Sequence, residues 1–165
     1  MVYVVMGVSG CGKTSVGEAV AAHLELTFIE GDVLHPAANV AKMSKGIPLN
    51  DDDRFPWLDR IGEAIQTNLA EGHGLVVSCS SLKKIYRDRL RDSAGGRLTF
   101  IYLKGPEALL AGRMAARKGH FMPTSLLKSQ LATLEDPSAE DQVVTVDISG
   151  TTGDVVERTL QAIAP

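Results

Sequence analysis

The sequence predicts an α/β fold of three layers, a five-stranded parallel sheet with helices on both faces. Three observations predict it. Short apolar, β-branched runs alternate with helical patterns along the whole chain. Those runs are nearly continuous in apolar character, as strands covered on both faces must be. A glycine-rich segment joins the first run to the first helix, the arrangement of a P-loop nucleotide-binding fold.

In order, the candidate strands are Val2 to Met6, Thr27 to Glu30, Leu75 to Cys79, Leu98 to Leu103 and Val143 to Ile148. Helical spacing covers Thr14 to Leu24, Pro36 to Ser44, Asp52 to Ala70, Lys83 to Asp92, Pro106 to Arg117, Thr124 to Leu134 and Gly153 to Ile163. Gly- and Pro-bearing loops fall at 46–49, 118–123 and 136–142. No repeat or linker divides the chain, so residues 1–165 are expected to form a single domain, with a mobile lid at about 117–124.

The bulk numbers exclude several classes. Of 165 residues, 44% are hydrophobic and 22% charged, an ordinary globular balance. A net charge of -3 gives no general reason to bind nucleic acid, so an anion site must be local. No apolar run reaches the ~18 residues of a membrane span. The opening MVYVVMGVSG lacks the basic flank of a signal peptide and reads as a buried strand. Two cysteines, Cys11 and Cys79, make no disulfide framework, and a reducing cytoplasm is the expected location.

The most specific signal is GVSGCGKT, which fits G-x-x-x-x-G-K-[ST] between a strand and a helix. Glycines let several backbone N–H groups converge on one phosphate, and the helix N-terminus adds positive potential. Gly7, Val8, Ser9, Gly10, Cys11, Gly12, Lys13, Thr14 and Ser15 are therefore the expected nucleotide-binding residues. Lys13 would reach the β- and γ-phosphates of ATP and Thr14 would ligate Mg²⁺. Cys11, beside Lys13, is either a reactive thiolate or a buried, inert thiol. No guanine-reading N-K-x-D segment is present. The small chain with a late basic segment suggests a lidded kinase of a small molecule.

The acceptor should sit near Asp32, at the tip of the second strand, where ligands bind in open α/β sheets. Asp32 could take the proton of a substrate hydroxyl, hold Mg²⁺ through water, or cap the next helix. His35 is placed for helix initiation or for substrate contact. In PLNDDDRFPW, Asn50 can cap a helix whose first turn holds Asp51 to Asp53. Three adjacent side chains splay around a helix, so the aspartates read as scaffolding rather than a metal site, and Arg54 as an anion clamp. Pro56 suggests that the helix starts nearer Phe55. After the third strand, the Ser80 hydroxyl suits a polyol, and Lys83 and Arg87, one face of a basic helix, suit an acidic substrate. Arg113 and Arg117 lie near a helix end, with Lys118, Gly119 and His120 following as a basic lid.

GVSGCGKT, GDVLHP, NVAKMSKGIPLNDDDRFPWL, CSSLKKIYRDRLR, FIYLKG and RKGHFMP, in that order, resemble the gluconokinase family of P-loop kinases. The resemblance runs from Tyr3 to about Asp147. It implies ATP- and Mg²⁺-dependent phosphorylation of D-gluconate at the 6-hydroxyl, a cytoplasmic sugar-acid pathway and a homodimer. By position it makes Asp32 the base, with Lys13 and Arg117 as catalytic cations. Arg54, Lys83 and Arg87 become gluconate contacts, joined by His35, Ser80 and His120, and Arg113 an adenine-side residue. Shikimate kinase, a relative by layout, has a substrate arginine after the lid, whereas TSLLKSQLATLEDP has none. A shikimate-like or nucleoside kinase and a nucleotide-regulated switch are the competing readings.

Overall fold

The computed structural model describes residues 1–116 and 125–165. Five parallel strands form one sheet in the order β2-β3-β1-β4-β5. They are β1 (Val2–Met6), β2 (Thr27–Glu30), β3 (Leu75–Ser78), β4 (Leu98–Lys104) and β5 (Val143–Asp147). Val2 of β1 pairs with Leu75 of β3 on one side and Leu98 of β4 on the other. The helices are α1 (Lys13–Leu24), α2 (Ala37–Ser44), α3 (Asp51–Ala70), α4 (Lys84–Ser93), α5 (Glu107–Ala116), α6 (Ser125–Thr133) and α7 (Thr152–Ile163). The strands match expectation within a residue.

Apolar content tracks position in the sheet. Val2, Val4, Val5 and Met6 of β1 and Leu75, Val76 and Val77 of β3 are fully buried, because these strands have neighbours on both edges and helices on both faces. The edge strands β2 and β5 are only partly covered. Right-handed crossovers send α1 to one face, where it meets α7, and α3 and α4 to the other, where they pack together. The chain therefore leaves β1 and β3, which are neighbours, toward opposite faces. The crevice beyond their carboxyl ends is the ligand site such a sheet provides.

Helix α3 departs from one expectation. It begins at Asp51 and carries Pro56 inside. A reciprocal capping box decides the start: Asn50 Oδ1 accepts from Asp53 N at 2.8 Å, and Asp53 Oδ2 accepts from Asn50 N at 3.0 Å. The cap, three acidic residues at the dipole's positive end and the buried Trp57, Leu58, Ile61 and Ile65 outweigh the one hydrogen bond that Pro56 forfeits.

Candidate active site

The phosphate cradle follows β1 directly. Gly10 and Gly12 take φ of +84° and +91°, which a side chain would strain. A Cβ on Gly10 would also come within 2.8 Å of the Leu110 carbonyl. Among the described residues no side chain caps α1, so its first N–H groups remain for an anion. The cradle opens into a cleft of about 400 Å³ lined by residues 9–16, Asp32, Arg113, Ala116, Thr152 and Val155. Gly7 and Val8 stand behind it. Gly7 N donates to Ser80 O at 3.3 Å, and the Val8 carbonyl accepts from Lys13 Nζ at 3.2 Å. Arg113 Nη2 donates to Ile148 O at 2.6 Å, fixing the loop that leads to Thr152 on the far wall. Cys11 is 1% exposed, with its sulfur against Gly7 and 3.9 Å from Lys13 Nζ. The Cys79 thiol stays protonated, since burial pushes it up to about 12.

The tip of β2 carries a residue that sequence reasoning passed over. Glu30 accepts hydrogen bonds from the Thr14 hydroxyl of the cradle and from the Ser78 hydroxyl of β3. Ser78 Oγ in turn accepts from Gly31 N at 3.1 Å. Gly31 is obligatory, because a Cβ there would lie 1.9 Å from the Ser78 carbonyl. The available signal was an acidic residue two positions before Asp32 on the same strand tip. A 3₁₀ turn over Gly31–Leu34 then puts Asp32 on the boundary between the cleft and a second, narrower recess.

Asp32, His35, Arg54, Ser80 and Lys13 all line that recess. The His35 ring stacks on Trp57 at 4.0 Å, and Trp57 Nε1 anchors the 3₁₀ turn by donating to Gly31 O at 2.8 Å. His35 Nδ1 accepts from Asn39 Nδ2 at 3.1 Å, so Nε2 carries the proton, 3.8 Å from Asp32 Oδ1. Burial and then the Arg54 charge lower the His35 pKa to about 4, and the ring is neutral at pH 7. Arg54 is held from behind. Its Nη1 donates to Tyr86 Oη at 3.0 Å, Tyr86 donates to Asp51, and Lys83 Nζ lies 2.9 Å from Asp51 Oδ1.

The run Asp51-Asp52-Asp53 is thus scaffolding. Asp53 closes the cap and pairs with Lys42 at 2.7 Å, while Asp51 fixes the tyrosine that orients Arg54. Tyr86 was not singled out from sequence.

Two expected substrate contacts are placed elsewhere. Lys83 is spent on Asp51 and does not line the recess. Arg87 is completely buried, with Nε 3.0 Å from Glu140 Oε1 and Nη1 donating to Ser81 O at 2.8 Å. Its Nη2 donates to Glu135 O at 3.0 Å. The helix face expected to meet substrate instead meets the segment before β5, where burial makes Glu140 the stronger claimant. Arg87 also steadies the turn at Ser81, whose φ of +50° swings Ser80 toward the recess. Arg117, His120 and the lid span 117–124 lie outside the described residues.

A parallel sheet with this cradle, an arginine-flanked cleft and an adjoining polar recess defines a P-loop kinase of small molecules. A family model described as "AAA domain" matches residues 2–137. The chain is 47% identical over 162 residues to the thermosensitive gluconokinase of Escherichia coli K12, covering 98% of this chain and 86% of that one. Among solved structures, a gluconokinase from Sinorhizobium meliloti 1021 is 56% identical with a TM-score of 0.88, covering 97% of this chain and 89% of that one. A sugar kinase from Janibacter superposes with a TM-score of 0.92 at 42% identity, covering 98% and 93%. The chain belongs to the gluconokinase family.

Proposed function

We propose that the chain transfers the γ-phosphoryl group of ATP to the 6-hydroxyl of D-gluconate. One observation carries this reading: Asp32 and Lys13 line both the cradle cleft and the recess that holds Arg54. A donor phosphate and an acceptor hydroxyl would meet at a carboxylate and an ammonium. Arg54, pre-oriented by Tyr86, receives the sugar-acid carboxylate, which places the far hydroxyl toward Asp32. Asp32 takes the hydroxyl proton as that oxygen attacks the γ-phosphorus, and the β–γ bridging oxygen leaves with ADP. Lys13 and the cradle N–H groups stabilise the charge that develops on the phosphates. Neutral His35 offers Nε2–H without adding a charge beside Arg54.

Mg²⁺ suits the oxygen donors present. The Thr14 hydroxyl donates its hydrogen bond to Glu30, which leaves its oxygen lone pairs for a hard cation. Among the described residues no three His, Cys, Asp or Glu cluster to hold an ion, and Mg²⁺ bound with phosphates needs no such cage. Bound there, it would neutralise phosphate charge. In this reading residues 1–165 form one kinase domain, residues 117–124 are its lid, and Arg117 and His120 belong to the closed site. Among the described residues no helix is long and apolar enough to cross a membrane. A cytoplasmic location and a homodimer complete the proposal.

The test is ADP release from MgATP with D-gluconate, other sugar acids, shikimate and nucleosides offered in turn. Stimulation by gluconate is the expected result. Release indifferent to every acceptor would indicate a nucleotide switch, and stimulation by shikimate or a nucleoside would reassign the substrate.

A further inference from the structure

A buried ring nitrogen stands in the acceptor recess. The His35 side chain is 3% exposed, and among the described residues no hydrogen bond reaches its Nε2. Asp32 Oδ1 lies 3.8 Å away, beyond direct hydrogen-bond reach, and both residues line the recess.

What that nitrogen presents is decided on the neighbouring helices. The Asn39 side-chain nitrogen donates to Asp53 O at 2.9 Å. A backbone carbonyl only accepts, so the end of the amide that faces it must be the NH₂. The same nitrogen lies 3.1 Å from His35 Nδ1, which therefore accepts its second hydrogen. The ring is neutral at pH 7, since burial and then Arg54 lower its pKa to about 4, and its one proton is on Nε2. Asn39 is 2% exposed on α2, and Asp53 belongs to the capping turn of α3. A main-chain carbonyl at a helix start thus dictates the polarity of a ring in the recess.

That polarity bears on the reacting group. A hydroxyl has one proton to give and two lone pairs. Nε2 and Asp32 Oδ1 are close enough for one hydroxyl oxygen to stand within ~3 Å of both. Facing a donor at Nε2, that oxygen can only accept there, and its own proton turns to the carboxylate. A carboxylate has about four lone-pair positions, so Asp32 can receive it alongside other bonds. With the ring proton on Nδ1 instead, Nε2 would be a second acceptor competing for the hydroxyl proton.

We propose that Asn39 is a positioning residue for the phosphoryl transfer: it holds His35 as a donor at Nε2 and so points the acceptor hydroxyl's proton at Asp32. This deepens the gluconate reading given above and rests on it.

The ring proton can be read directly. In protein labelled with ¹⁵N-histidine, proton–nitrogen correlation spectra show which ring nitrogen is protonated. His35→Phe identifies the His35 signals among the four histidines. At about pH 8 the parent should carry the proton on Nε2, and saturating D-gluconate should shift that signal. Asn39→Asp sets an acceptor against Nδ1 and should move the proton there. Its kcat should fall about 10- to 100-fold, a part of what loss of the general base would cost. Gluconate KM and ATP affinity should stay within about threefold of the parent. In a His35→Phe background, with no ring nitrogen to orient, Asn39→Asp should change kcat by less than about twofold. In a parent that phosphorylates gluconate, the proposal is overturned if the ring proton is on Nδ1 or if gluconate leaves the Nε2–H signal unmoved. It is also overturned if Asn39→Asp moves the proton yet turns over like the parent, or lowers kcat equally with and without the ring. Should Asn39→Asp fail to fold, the parent's spectra with and without gluconate decide alone. A parent without gluconate-dependent ADP release would instead remove the functional reading, while the tautomer would still be read from the spectra.

Discussion

The two hollows of the site are built on different plans. The nucleotide cleft is made chiefly of main chain: glycines at positive φ, uncapped N–H groups of α1 and one lysine. The second recess is lined by side chains from the β2 tip, α2 and the segment after it, α3, the β3 tip and α6, and its His35 and Arg54 are braced by other residues. His35 leans on Trp57, Arg54 on Tyr86, and Tyr86 on Asp51. A main-chain site is local in sequence and tolerates change in its neighbours. A braced side-chain site is assembled at long range, so it can be damaged from behind.

The sharpest way to separate the plans is at their boundary. Asp32→Asn should lower kcat about 10²- to 10⁴-fold while ATP still binds, the signature of a lost general base. Full turnover in that variant would leave Asp32 with no role in proton transfer.

Damage from behind comes next. Arg87 touches neither hollow, yet Arg87→Ala would leave Glu140 with only Arg91 for compensation. Burial alone would raise the Glu140 carboxyl, and the bonds and charges of the two arginines hold it below its usual range. Losing Arg87 should cost roughly 3 kcal/mol in urea unfolding. Wild-type stability with a raised gluconate KM would restore Arg87 as a substrate contact.

Acid should act on the recess through His35. The folded pKa of about 4 lies below the unfolded value of 6.5, so the unfolded chain takes up the proton first. Stability is intact above pH 6.5, falls as pH drops toward 4, and levels off below that, for a total near ~3 kcal/mol. The difference in unfolding free energy between the parent and His35→Gln should slope only within that window. A flat difference would mean that His35 is not desolvated.

Arg54→Lys should lower gluconate kcat/KM by roughly 10-fold, because an ammonium cannot pair a carboxylate bidentately while donating to Tyr86. Unchanged kinetics would make Arg54 structural. The smallest effect belongs to the cleft: with Cys11 and Cys79 both interior, iodoacetamide should leave activity nearly untouched. Rapid inactivation that Cys11→Ser abolishes would reverse this.

The same contrast explains what was legible in the sequence. All five strands were placed within a residue, and the three interior ones were clearest because a strand with neighbours on both edges must be continuously apolar. The place of the cradle between β1 and α1 was readable, because its geometry depends on glycine spacing. Asp32, His35, Arg54 and Ser80, singled out in the sequence, all line the recess: Asp32 and Ser80 lie just beyond strand tips, His35 follows the 3₁₀ turn, and Arg54 stands in the first turn of α3. Arg87 and Lys83 were misplaced because charge and helical spacing say which face a residue occupies, not which partner reaches it first. Glu140 and Asp51 reached them, from 53 and 32 positions away. Glu30 and Tyr86 went unnoticed because their contacts are relations between elements, and no local pattern encodes such a pairing.

Ser9, Lys13 and Asp32 are shared walls between the two hollows. A ligand on one side changes the charge, hydration and freedom of groups that face the other. The two binding free energies therefore contain a common term. Thermodynamic reciprocity requires that the factor by which gluconate alters ATP affinity equal the factor by which ATP alters gluconate affinity. An enzyme divided by so thin a partition should show synergy between its substrates in equilibrium titrations, whichever is added first.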